Sequence, residues 1–225
     1  MSYDRLDIIS VKNKIDKYLI NTPVLRFDFV DSLCNCEVFF KCENFQHTGS
    51  FKYRAALNAI KSIPNSYKKK GVITHSSGNF AHALSRAARE LNISCYIVMP
   101  SNTPDFKKMS VLKYTENIIE CKPTLEAREH MTKKVMSEKN LFFLHPSNNM
   151  DVILGNSTCA FEFFEENPNL DYIFSPVGGG GLIAGTCIAM NHFSKNFQVI
   201  GAEPSNVDDA YRSLISGKIE TNKST

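Results

Sequence analysis

Several things are missing from this 225-residue chain, and each absence narrows what it can be. No apolar stretch approaches the length of a membrane span, and the start, Met1-Ser-Tyr-Asp-Arg-Leu-Asp, is charged where a secretory leader needs an apolar run. The expectation is therefore a soluble, cytoplasmic protein with no membrane partner. No charge sign dominates: 26 basic and 23 acidic residues are interspersed, leaving a formal +3 and no basic stripe to grip a nucleic acid backbone. The seven cysteines (34, 36, 42, 95, 121, 159 and 187) are odd in number and show no repeated C-x-x-C spacing. They read as reduced core residues rather than disulfides or metal ligands. No internal repeat or low-complexity tract is visible, and the polar tail 220–225 reads as frayed or as a linker.

What is present is a globular composition, 43% hydrophobic, with a helix–strand alternation. Residues 5–18 have a helical rhythm that Asn21-Thr22-Pro23 breaks, and 37–43 is strand-like. A basic, proline-containing connector at 63–70 is a candidate hinge. Beyond it, short apolar strands at 72–75, 93–99 and 117–121 alternate with helices near 79–91, 104–114 and 124–138. A further helix at 151–166 precedes strands at 171–177 and 198–203, with helices from Leu182 and Asp208. Such alternation implies right-handed crossovers and parallel sheets, an α/β architecture.

The chain is organised around Thr48-Gly49-Ser50-Phe51-Lys52-Tyr53-Arg54, where a lysine is expected one turn into a helix announced by a Gly-Ser start. Positive potential there lowers an amine's pKa and suits a nucleophile or base. A capped amphipathic helix with a solvated lysine is the plainer alternative. Gly178, Gly179, Gly180 and Gly181 follow a strand and open a helix, so their N–H groups can converge on an anion, with phosphate the natural guest. No P-loop lysine follows, which disfavours a nucleotide. His75-Ser76-Ser77-Gly78-Asn79-Phe80 is a second strand-to-helix turn able to take a carboxylate, or simply a cap. Glu203-Pro204-Ser205-Asn206-Val207-Asp208-Asp209 could share a hard cation, or could be a helix N-cap.

Taken together, the Thr-Gly-Ser-Phe-Lys helix, the Ser-Ser-Gly-Asn turn, the Gly-Gly-Gly-Gly-Leu turn and Ala202-Glu203-Pro204-Ser205-Asn206 resemble the serine racemase and serine/threonine dehydratase group of fold-type II pyridoxal-phosphate enzymes. The resemblance implies two three-layer αβα domains with parallel sheets: a small one at 71–148 and a large one made of 1–70 plus 149–225, incomplete at its C-terminal end. It implies pyridoxal 5'-phosphate as cofactor, tied to Lys52 as a Schiff base, with Phe51 against its ring. Asn79 would meet the ring hydroxyl, and Gly178 to Gly181 with Leu182 would hold the phosphate. Lys52 and Ser77 would be the acid/base pair on opposite faces. Ser76, Ser77, Asn79 and Arg128 would meet the substrate, and Glu203, Val207 and Asp209 would hold Mg2+, Ca2+ or Mn2+.

The implied reaction eliminates the β-hydroxyl of L-serine or L-threonine as water and takes water back on hydrolysis, so that the net products are a 2-oxo acid and ammonia, or it racemises serine. The implied partners are a small amino acid and a second copy in a homodimer. The alternative is a catalytically silent, truncated relative acting through a completing chain. Three departures stand out: Arg54-Ala55-Ala56 where the group has Arg-Gly-Ala, Phe80 in place of a histidine, and Leu154-Gly155-Asn156-Ser157 for Ala-Gly-Gln-Gly. The serine or cysteine that contacts the pyridine nitrogen in the group has no counterpart among these residues.

Overall fold

The computed structural model describes residues 5–191, 193 and 198–222. The chain opens with α1 (Arg5–Ile15), whose Ile8 and Ile15 are fully buried. A two-stranded antiparallel ribbon follows, β1 (Val24–Arg26) against β2 (Phe39–Lys41), with α2 (Asp28–Cys34) inserted between them. The sequence reading anticipates β2 but neither β1 nor α2.

The helix carrying the lysine is α3 (Lys52–Ser62), and every residue from Tyr53 to Ile60 is buried. Three alanines on it allow close approach to neighbours on both sides. The predicted hinge at 63–70 contains one helical turn, α4 (Asn65–Lys68).

The next unit matches the predicted alternation closely. Strands β3 (Val72–His75), β4 (Cys95–Pro100), β5 (Ile118–Cys121) and β6 (Phe142–Phe143) form one parallel sheet in the order β5-β4-β3-β6. Crossovers run through α5 (Asn79–Glu90), α6 (Asp105–Leu112) and α7 (Leu125–Lys139). All four residues of β3 are buried, as expected of a strand covered on both faces.

The chain then returns through α8 (Met150–Glu166), which packs against α3, before β7 (Tyr172–Pro176), α9 (Gly181–Met190), β8 (Gln198–Ala202) and α10 (Asp209–Ser216). β7 and β8 are parallel. The main core joins α3, α5 and α8, with Leu57, Ile60, Leu84, Ile97 and Val152 among its fully buried residues.

The cysteines are all free but mostly not core: Cys95 and Cys121 are buried, whereas Cys34, Cys36 and Cys187 are exposed. The reading of them as buried residues fails because strand and helix patterns fix periodicity and leave open which elements another layer covers.

Candidate functional site

The lysine helix starts more abruptly than its sequence suggests. Thr48 and Gly49 adopt positive φ of 63° and 73°, the chain straightens at Ser50, and Lys52 is the first helical residue rather than one turn in. Ser50 does not cap the helix, and its buried hydroxyl has no partner. Two residues on, Arg54 is fully buried and pins the helix start. Its guanidinium donates to Glu43 at 2.8 and 2.9 Å and, fork to fork, to Glu162 at 2.7 Å twice. Burial opposes its charge, but the carboxylates of Glu162 and Glu43 override it and hold Arg54 protonated.

Lys52 has no such carboxylate. Burial pushes its ammonium down to about 8. Its Nζ donates to the backbone oxygen of Pro146 at 2.9 Å and lies 5.2 Å from the ring centre of Phe51 and 5.8 Å from that of Phe80. Phe80 sits in the first turn of α5, so it brings the Ser76-Ser77-Gly78-Asn79 turn beside the lysine. In that turn Ser76 N–H bonds to Val98 O, and Ser76 Oγ accepts from Gly78 N–H. Ser76 and Ser77 are half-buried and Asn79 is exposed.

The glycine turn connects β7 to α9, with Gly180 at φ 78°. Here glycine is a steric requirement. A Cβ on Gly179 would stand 2.5 Å from Ser147 Oγ, and one on Gly181 would meet Ser147 Cα at 3.2 Å and Asn156 Nδ2 at 3.3 Å, whereas Gly178 and Gly180 face open space. Pro146 and Ser147, consecutive in sequence, thus join the lysine to the glycine turn. Leu182, half-buried, follows at the helix start.

Asn156, in the middle of α8, is fully buried, and neither atom of its amide has a partner. Its nitrogen faces Gly181, so an unspent donor lies beside a helix N-terminus whose own first N–H groups are free. That arrangement fits a phosphate, and a compact phosphorylated aldehyde held there could reach the lysine.

Two further elements expected at the site are Arg128 and the segment around Glu203. Arg128, on α7, has a buried Nε without a partner, and its charge acts on His75 and Cys121. The His75 ring meets that of His145 edge-on at 5.8 Å, and His145 in turn feels the charge of Lys52. Glu203 accepts N–H bonds from Ala210 at 3.3 Å and Tyr211 at 2.9 Å, and Asp209 accepts from Asn222 at 2.6 Å. Val207 closes a turn onto Pro204. Glu203 therefore serves as the cap of α10, and no group of three His, Cys, Asp or Glu among the described residues could hold a metal ion.

Residues 145–149 are the part of the candidate site that sequence reasoning missed, and Asn156 entered it only as part of a departure from the group's pattern. Their contacts span long separations, 94 residues between Lys52 and Pro146. The available hint was a polar run, His145 to Asn149, placed between a strand and a helix.

The family model described as pyridoxal-phosphate dependent enzyme matches residues 15–225. The chain is 45% identical over 214 residues to the serine racemase of Dictyostelium discoideum, covering 95% of this chain and 66% of that protein. It is 42% identical to the beta-hydroxyaspartate dehydratase of Paracoccus denitrificans over 95% of this chain and 68% of that protein. The crystal structure of the Dictyostelium serine racemase superposes with a TM-score of 0.93 at 44% identity, over 98% of this chain and 72% of that one. The chain thus spans about two thirds of the length of these relatives.

Proposed function

This chain belongs to the pyridoxal-phosphate dependent enzyme family, and from that premise we propose that it binds pyridoxal 5'-phosphate between Lys52 and the glycine turn and acts on a small β-hydroxy amino acid. The observation that carries the proposal is the Pro146-Ser147 bridge, which accepts from Lys52 Nζ at 2.9 Å and packs against Gly179 and Gly181. Gly178, Gly179, Gly180, Gly181 and Leu182 would hold the phosphate. Phe51 would flank the ring, and Asn79, exposed at the start of α5, would meet its hydroxyl. Pyridoxal phosphate supplies an electron sink for negative charge at the substrate's Cα.

Lys52 is suited to moving the α-proton, because its amine loses a proton near pH 8 at little cost. General-base transfer of this kind contributes roughly 10²- to 10⁴-fold. Ser77 would deliver or remove a proton on the face opposite the lysine, with Ser76 and Asn79 orienting the carboxylate. Arg128 contributes from the His75 side. Loss of the β-hydroxyl leads to a 2-oxo acid and ammonia, and proton return on the other face leads to inversion. The relatives named serine racemase and beta-hydroxyaspartate dehydratase support this substrate class.

Residues 71–148 would form the small domain, with 1–70 and 149–225 as the large one. Seven unpaired cysteines support a reducing, cytoplasmic setting. A homodimer is the proposed assembly. A second reading, in which this chain binds the cofactor but turns over only when another chain completes it, is favoured by the exposure of Phe174 and Leu214.

The test is a panel of L-serine, D-serine, L-threonine and 3-hydroxyaspartate, followed for 2-oxo acid and for the opposite enantiomer, with and without magnesium. Dehydration is expected to outrun inversion, because departure of the hydroxyl needs no second proton donor at Cα. Lys52→Ala should abolish both, and Ser77→Ala should remove inversion while α-proton loss from the L-enantiomer persists. Uptake of cofactor with no turnover of any of the four would select the second reading. Failure of borohydride to fix pyridoxal phosphate on Lys52 would defeat both.

A further inference from the structure

Two successive backbone N–H groups converge on one imidazole nitrogen. His145 Nδ1 lies 3.1 Å from the nitrogen of Ser147 and 2.7 Å from that of Asn148. Both are donors, so Nδ1 must be the bare nitrogen and Nε2 the one that carries the proton. The ring is half-buried, standing edge-on to His75 at 5.8 Å and to Phe143 at 6.1 Å. The turn it holds is the bridge: Pro146 O takes the Lys52 amine, and Ser147 fills the space that a Cβ on Gly179 would need. Beyond it, Asn149 caps α8 by accepting from Val152 N–H at 3.1 Å, so the segment is tied at both ends.

We infer that His145 is a positioning residue: its unprotonated Nδ1 latches the Pro146-Ser147 turn between the lysine and the glycine turn, and protonation of the ring releases it. A protonated Nδ1 would point an N–H at two other N–H groups, replacing two attractions with two repulsions. The segment could then no longer hold Pro146 O on the amine or Ser147 beneath the glycines.

The charged groups around the ring set where this occurs. Burial is the largest influence and lowers the ring's pKa below the ordinary 6.5; Glu129 on α7 raises it, and the Lys52 ammonium on α3 lowers it. His75 on β3, the other ring of the pair, is lowered in the same sense by burial, by His145 and by Arg128, with Glu129 opposing. The folded chain therefore holds His145 neutral to a lower pH than an imidazole with the ordinary pKa of 6.5. As pH falls below that value the unfolded chain takes the proton first, so this contribution to stability is full above it and is lost towards the lower folded pKa.

The consequence for cofactor retention rests on the proposed function, whereas the latch itself does not. The test uses the 15N-labelled chain without cofactor, following the Ser147 and Asn148 amide signals between about pH 5 and pH 8 across the imidazole range. His145→Asn places a non-titrating oxygen near the Nδ1 position, and His145→Leu removes the acceptor. In the parent chain both amide signals should move in one step with the His145 ring. In the Asn variant they should stay at the latched position at every pH.

Pyridoxal phosphate affinity, read by fluorescence titration, should weaken through the same step in the parent more than in the Asn variant. The cofactor's own phosphate titrates near 6 in both, so the difference isolates the ring. The Leu variant should bind about tenfold more weakly throughout, the equivalent of one lost anchoring interaction. Amide signals that stay flat while His145 titrates would overturn the inference. So would an Asn variant as impaired as the Leu variant. Amides that titrate in a chain unable to take up pyridoxal phosphate would uphold the latch and overturn the proposed cofactor.

Discussion

Lys52 and Arg54 stand on one helix, and burial treats them in opposite ways. Arg54 keeps its charge because two carboxylates meet it, whereas Lys52 has only a carbonyl and is brought down to about 8. An amine with a folded pKa below its unfolded value destabilises the fold at pH 7, where it must be charged while partly desolvated. Without cofactor, Lys52→Met should therefore raise the denaturant midpoint at pH 7, with the gain shrinking as pH rises from 8 towards the usual lysine range near 10.5. A midpoint that falls or stays level would mean the ammonium is better solvated than its burial implies. At Arg54 the sign reverses. Arg54→Met strands Glu43 and Glu162 facing each other, with Lys41 at 3.4 Å from Glu162 the remaining cation. Removing one partner of a buried ion network costs roughly 3–5 kcal/mol, which urea unfolding would measure directly.

At the scale of elements, the site depends on how closely α3 and α8 approach. A Cβ on Gly155 would stand 2.6 Å from Arg54 O and 2.7 Å from Ala55 Cα, both backbone positions that cannot rotate away. Gly155→Ala should therefore push the lysine helix off α8, costing roughly 1–3 kcal/mol as overpacking does and weakening cofactor uptake as well. Gly178→Ala, with nothing within 4 Å, should leave stability within about 0.5 kcal/mol by contrast. Thermal unfolding of the two variants side by side distinguishes them.

The same elements mark how far the sequence could be read. β3 at 72–75 and β7 at 172–176 announce themselves through apolar runs bounded by breakers, and so do the helices that cross between strands. β1, with three residues, and β6, with two, are too short to carry a period and exist because a neighbour supplies hydrogen bonds. The lysine and the glycine turn stand out by residue type, one as an amine at a helix start and the other as four consecutive glycines after a strand. The Pro146-Ser147 bridge and Asn156 were not, because ordinary residues gained their roles through contacts made across the fold. Glu203 shows a related limit: a carboxylate close along the chain to an aspartate suits a cation ligand or a helix cap, and its hydrogen bonds to Ala210 and Tyr211 show the capping role.

Over the whole molecule, apolar surface is unevenly covered. Along β7 the residues alternate, Ile173 and Ser175 inward, Tyr172 and Phe174 outward and 55% and 69% exposed. Nearby in sequence, α10 turns out Tyr211, Leu214 at 81% and Ile215 at 71%, and Ile219 follows at 93%. Isolated apolar residues on a surface need no explanation, but several on the outer side of a two-stranded parallel sheet and several on one short helix mark faces that another layer ordinarily covers. The parallel arrangement strengthens the point, since parallel sheets are stable when both faces are packed. The purified chain should therefore self-associate as its concentration rises, seen by light scattering after size exclusion, and should bind a hydrophobic dye. Phe174→Ser combined with Leu214→Ser should suppress both. Neither residue contacts Lys52 or the Pro146-Ser147 bridge in the hydrogen bonds and ring contacts that define the site, so pyridoxal phosphate uptake by the double variant should match the parent. A parent chain that stays monodisperse and dye-silent would show that this face is satisfied by its own neighbours, and would remove the support it lends to completion by a second chain.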